Sequence, residues 1–299
     1  MERVYRRPSV AATQRERALR RAGRAHVRAL RDFGARELGL EFAGSFERFA
    51  SRHGSANWLY AVRRDRLASA LPEHATFRFS WSRAAARRWE RRHRARGDHT
   101  YLYSAEAHGG GGCPITPSLL AAAPARRAYV VLHEAWHTTL RLRDVRMPYD
   151  LEEASGRVVG VVGALAFARA HGDAEAIAEA RAQLHDWGRF AAFVNRTTRR
   201  LQRLYRERPA PGARRRCFAA IRAETRALRA QFHSAWEREE LTRTMNNAFF
   251  FRYADYTRHY PLALRAYRQR GSLRRAMRLY ERVGREGALR ELRRRLAVG

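Results

Sequence analysis

Lysine is absent from this 299-residue chain, so all 61 of its basic residues are arginines. Arginine and lysine carry the same charge, so this bias cannot account for the excess over 29 acidic residues or for the formal charge of +32. A field of that size favours anionic partners and says nothing about fold. Cysteine is nearly missing as well. Cys113 and Cys217 cannot build a disulfide framework, and without a C-x-x-C pair they exclude a thiolate zinc site. Long hydrophobic runs are lacking too: VVGVVGALAFA at 158–168 is the longest, far short of the roughly 20 residues of a spanning helix. The opening MERVYRRPSVAATQRERALRRAG has no apolar core of a secretory signal, so the expected location is cytoplasmic.

What is present is enough apolar material for a core. Hydrophobic residues make up 45% of the chain, and Trp, Tyr and Phe recur along its length, which argues against disorder throughout. Ala18, Ala22, Ala25, Ala29 and Phe33 fall at helical spacing and predict a helix over 11–38, with Gly39 as its stop. A second, short helix is expected from Gly44 to His53. The pattern then turns to period two. Phe77, Phe79 and Trp81 alternate with polar neighbours, NWLYAV (57–62) reads as extended, and DHTYLYSAEA (98–107) as another strand, with an arginine-rich helix over 82–96 between them. After Pro124 the reading is helical throughout: about 126–142, 150–170, 173–207, 213–242, 246–260, 260–270 and 272–296. Strands before Pro124 and helices after it imply an α+β fold, a small mixed or antiparallel sheet followed by a mostly helical part. No repeat or long linker divides the chain, so 1–299 is expected to be a single domain with an N-terminal α/β part to about 124 and a helical part from 125.

The chemistry concentrates in HEAWH. His133 and His137 stand four residues apart, about 6 Å along one helix face, where both can ligate one cation, and Glu134 lies beside the open position as a general base. Chance supplies H-E-x-x-H roughly 0.03 times in a chain of this composition, so a third ligand matters. Glu153 follows sixteen residues after His137, at the start of a helix that a turn after MPYD can fold back on the first. It completes a two-histidine, one-carboxylate zinc site with a position left for water. Glu152 competes for that role, but neighbours on a helix point 100° apart, so only one of the pair faces the metal. Gly156, Gly160 and Gly163 share the face of Glu153 and allow close packing, which favours Glu153.

The chain resembles a family of bacterial zinc-dependent aminopeptidases of the gluzincin type. The likeness is carried by HEAWH, by LRDFGARELGL (30–40), NWLYAV and YLYSAEA before it, and by RLQRLYRE (200–207) and MNNAFFFRYADY (245–256) after it. The family's N-E-S-x-A element is matched by Glu152-Glu153-Ala154-Ser155-Gly156, which implies Glu153 as ligand and a zincin-like metallopeptidase domain. The resemblance implies peptide substrates, a Zn²⁺ cofactor, and an oxyanion donor in Tyr256, with Tyr149 and Tyr253 behind it. Two features depart from the family: HGGGGCPITP (108–117) stands where an aromatic-acidic G-W-F-x-D-P segment is usual, and a lipoprotein-type signal is lacking.

Other residues read more plainly. Asn246 and Asn247 suit capping or support of the ligands better than substrate binding. The glycine loop at 108–113 has no G-K-[ST] terminus and is no phosphate loop, and Cys113 has no base assigned to it. Arginine clusters at 15–31, 83–96, 196–208 and 214–227 read mostly as solvated helix faces of an arginine-biased chain, with weak, non-specific contact with nucleic acid or anionic lipid as the functional alternative. The rival to the hydrolase is therefore a basic nucleic-acid or anionic-polymer binding protein whose zinc site is structural.

Overall fold

The computed structural model describes residues 10–50, 56–72, 75–107, 112–207 and 210–285. Helix α1 (Val10–Phe33) continues into one wider π-helical turn, Gly34–Leu38, and stops where Gly39 takes φ 71°. A side chain at Gly34 would press on Phe42 and Leu132 at 3.0 and 3.1 Å, so this turn lies hard against the helix that carries the site.

The helix expected from Gly44 does not form over 44–50, and 51–53 fall outside the described residues. Ala43, Gly44 and Phe46 have φ of 44°, 76° and 61°, left-handed values that no right-handed helix admits. Tertiary contacts decide this segment. Phe46 is buried and its N–H donates to the carbonyl of Cys113, and Phe49 bridges in parallel to Ile115.

Three strands, β1 (Ala56–Val62), β2 (Arg78–Ser80) and β3 (His99–Ala105), form an antiparallel sheet in the order β2-β1-β3. Helix α2 (Arg83–Ala95) starts at Ser82, whose hydroxyl accepts from the N–H of Ala85. It packs on β1 and β3, as does a later helix, α9 (Asn247–Thr257), so the central strand is buried along nearly its whole length instead of alternating.

The remainder is helical: α3 (Pro117–Ala121), α4 (Pro124–Leu142), α5 (Tyr149–Ala170), α6 (Ala174–Arg206), α7 (Ala213–Ala230), α8 (Ala235–Glu240), then α9, α10 (Tyr260–Arg270) and α11 (Leu273–Arg285). The architecture is α+β with helix predominating. The expected long helix over 213–242 is broken into α7 and α8. Asp186, fully buried on α6, accepts the N–H groups of His233 and Ser234 at 2.7 Å each, and Phe232 turns into the core. The apolar run 158–168 lies on α5, which packs against α4, α6, α9, α10 and α11, and a helix covered on every side needs no polar face. Among the described residues no helix is long and apolar enough to cross a membrane.

Candidate metal centre

Helices α4 and α5 run antiparallel in close contact, and small residues set the distance. A Cβ at Gly160 would stand 2.7 Å from the ring of Tyr129, one at Gly163 2.8 Å from Leu132, and one at Gly156 3.0 Å from the imidazole of His133. The indole N–H of Trp136 donates to the Ser155 hydroxyl at 2.9 Å and fixes the register. Glu152 and Glu153, at the start of α5, are thereby laid beside His133 and His137 on α4.

The two acids diverge as their helix spacing requires. Glu153 is buried and its Oε2 lies 3.4 Å from His133 Nε2 and 3.7 Å from His137 Nε2. The two Nε2 atoms are 3.1 Å apart. Glu152 turns aside and meets His137 Nδ1 at 2.6 Å, the position of a carboxylate that orients a ligating imidazole. One ligand atom from each of His133, His137 and Glu153 falls within 4.8 Å of the others, so the three could hold a single cation. Ligands bound at about 2.0–2.1 Å in tetrahedral geometry stand about 3.3 Å apart, and the spacings here bracket that value. Among the described residues Glu153 Oε2 is buried with no hydrogen-bond partner, a cost that a cation would relieve.

The three side chains are coupled electrostatically. Burial opposes charge on His137, yet Glu153, Glu152 and Glu134 outweigh it and hold its pKa well above the ordinary 6.5. Burial likewise opposes charge on Glu153, and the two imidazoles outweigh it and hold its carboxyl far below the ordinary range.

A cavity of about 610 Å³ opens on this centre. Glu134, Tyr149 and Tyr256 line it. Burial, reinforced by the negative charge of Glu153, pushes the Tyr256 phenol upward; Tyr149 is 41% exposed and lies beside Tyr256 and Glu153, which push its phenol the same way, and an ordinary phenol is already a protonated donor at neutral pH. Tyr253 is buried deeper, with its hydroxyl 3.5 Å from that of Tyr101. Asn246 caps α9 by accepting from the N–H groups of Ala248 and Phe249, and Asn247 donates to the carbonyl of Arg63 and accepts from the Tyr205 hydroxyl, so both amides are engaged in the framework. Cys113 is buried. Residues 108–111 of the glycine loop lie outside the described residues.

Sequence reasoning missed the arginines of the cavity wall. Arg126, Arg157 and Arg252 are all buried. Arg126 meets Glu106 through Nε and Nη2 at 3.0 and 2.9 Å, and Arg157 pairs with Glu237 between the rings of Tyr129 and Trp187. The available signal was context: Arg157 interrupts the apolar face of α5, and Arg252 follows three phenylalanines.

The described residues therefore define an α+β protein in which two histidines and one glutamate that could hold a cation stand together at the wall of a cavity. The chain belongs to the family described as "Putative aminopeptidase", whose sequence model matches residues 4–298. No curated protein and no solved structure gives a significant match.

Proposed function

We propose that the protein is a zinc-dependent peptidase, zincin-like and of gluzincin type, built as one domain over 1–299. The observation that carries this reading is the spacing of 3.1, 3.4 and 3.7 Å among the nitrogens and oxygen of His133, His137 and Glu153, at the wall of a cavity that Glu134 also lines. Two imidazoles and one carboxylate are a donor set that suits zinc and leaves a coordination position open. The bound ion would supply Lewis acidity to a water and to the peptide carbonyl.

The protein's own residues supply the rest. Glu134 takes the proton of the attacking water and passes it to the amine that leaves as the C–N bond breaks. Glu152 keeps His137 oriented through Nδ1. The oxyanion formed by attack requires a donor, and Tyr256 and Tyr149 line the cavity with phenol hydroxyls that are protonated at neutral pH. Membership of an aminopeptidase family supports peptides as the substrate class.

Metal analysis of purified wild type and Glu153→Ala, followed by a mixed-peptide screen on the same material, tests the proposal. Stoichiometric zinc and peptide cleavage are expected in wild type, and loss of both in the variant. Zinc retained by Glu153→Ala, or zinc-loaded wild type that cleaves no peptide, would leave at most a structural metal site in a basic binding protein.

A further inference from the structure

Three buried guanidinium groups face one cavity, and among the described residues two of them have an acid of their own. Glu106 neutralises Arg126 and Glu237 neutralises Arg157. Arg252 is 4% exposed, and among the described residues no carboxylate forms an ion pair with it. Asp255 feels its charge without reaching it. The surroundings of Arg252 are aromatic instead. Its Cζ lies 3.9 Å from the centre of the Tyr103 ring and 5.0 Å from that of Tyr256, Nη1 donates to the Tyr60 hydroxyl at 3.3 Å, and Nε is buried with no hydrogen-bond partner among the described residues.

A tyrosine cage offsets part of the cost of burying such a cation and holds its planar fork in one orientation. It does not supply the counter-charge. A guanidinium with an unused donor, held at a cavity wall, matches a carboxylate in charge and, through its fork, in two-point geometry. Glu106, one of the acids that line the cavity, is already engaged by Arg126. We infer that Arg252 is a carboxylate subsite, so that the cavity selects peptides bearing an anionic group, either an acidic side chain or a free C-terminal carboxylate. The inference deepens the peptidase reading and rests on it for the word peptide. The counter-ion argument itself is independent of the metal.

Binding measured calorimetrically on the chelator-treated, full-length protein separates the two. The probes are the tripeptide Leu-Ala-Ala with a free C-terminus, its C-terminal amide, and Glu-Ala-Ala amide. Wild type should bind at least one carboxylate-bearing probe about tenfold or more tighter than Leu-Ala-Ala amide, and the probe that gains identifies the source of the carboxylate. In Arg252→Gln that ratio should fall to about one. Equal affinities for all three probes in wild type, or a ratio unchanged in Arg252→Gln, overturns the inference. If Arg252→Gln fails to fold, Arg252→Lys keeps the charge and loses the fork. Its ratio should then drop at least threefold, and an unchanged ratio overturns the inference equally. An Arg252-dependent ratio together with zinc-loaded protein that cleaves none of the probes would sink the hydrolase and leave the subsite standing.

Discussion

Glu134 and Glu153 share one site, and their substitutions should fail in different ways. Glu134→Gln keeps the shape of the side chain and removes its basicity, so zinc should remain while kcat falls by about 10²–10⁴, read from metal content and peptide turnover on one preparation. Turnover within threefold of wild type would exclude Glu134 as the base. The centre also sets a pH dependence. His137 holds its proton above the ordinary imidazole value, so the metal-free protein is protonated there at neutral pH and a cation must displace that proton. Zinc affinity should therefore rise as pH increases through and beyond 6.5, with about one proton released per ion at pH 7 in calorimetry repeated in buffers of different ionisation enthalpy. At this scale the sequence was most legible where spacing alone placed side chains together, as in HEAWH and the Glu152-Glu153 pair. It was least legible for Arg252, because arginine is the sole basic residue type and one arginine among 61 has no distinguishing mark until burial is known.

At the scale of elements, the α4–α5 contact fixes the register of the ligands. A methyl group at Gly160 meets the Tyr129 ring and, at 2.9 Å, the Tyr129 backbone carbonyl, which cannot rotate away. Gly160→Ala should cost about 1–3 kcal/mol and weaken zinc binding as well, whereas Gly188→Ala, on α6 with nothing within 4 Å, should stabilise by about 0.5–1 kcal/mol. Thermal unfolding of the two variants side by side checks the opposite signs. Periodicity made most helices readable because their apolar stripes face one core. It could not disclose the interruption between α7 and α8, where the helical pattern continues and the cause lies on another helix. Removing that cause, in Asp186→Ala, should strand the N–H groups of His233 and Ser234 and lower stability by about 2–4 kcal/mol in a denaturant titration. The turn at 43–47 was equally hidden, since its left-handed residues are held by contacts with the chain around Cys113 and Ile115.

At the scale of the whole molecule, metal and fold should be linked. A cation that binds only the native state at 100 times its Kd adds about 2.7 kcal/mol, so saturating zinc should raise the unfolding temperature by several degrees and a chelator should reverse the gain. An unfolding temperature indifferent to zinc would contradict the site. One further consequence comes from α5, which touches five other helices and carries Glu153 just past its first turn. Such a keystone cannot be loosened by fraying at the rim. Its amides should be among the last to exchange with deuterated solvent, and the grouping of His133, His137 and Glu153 should outlive the loss of peripheral structure during gradual heating.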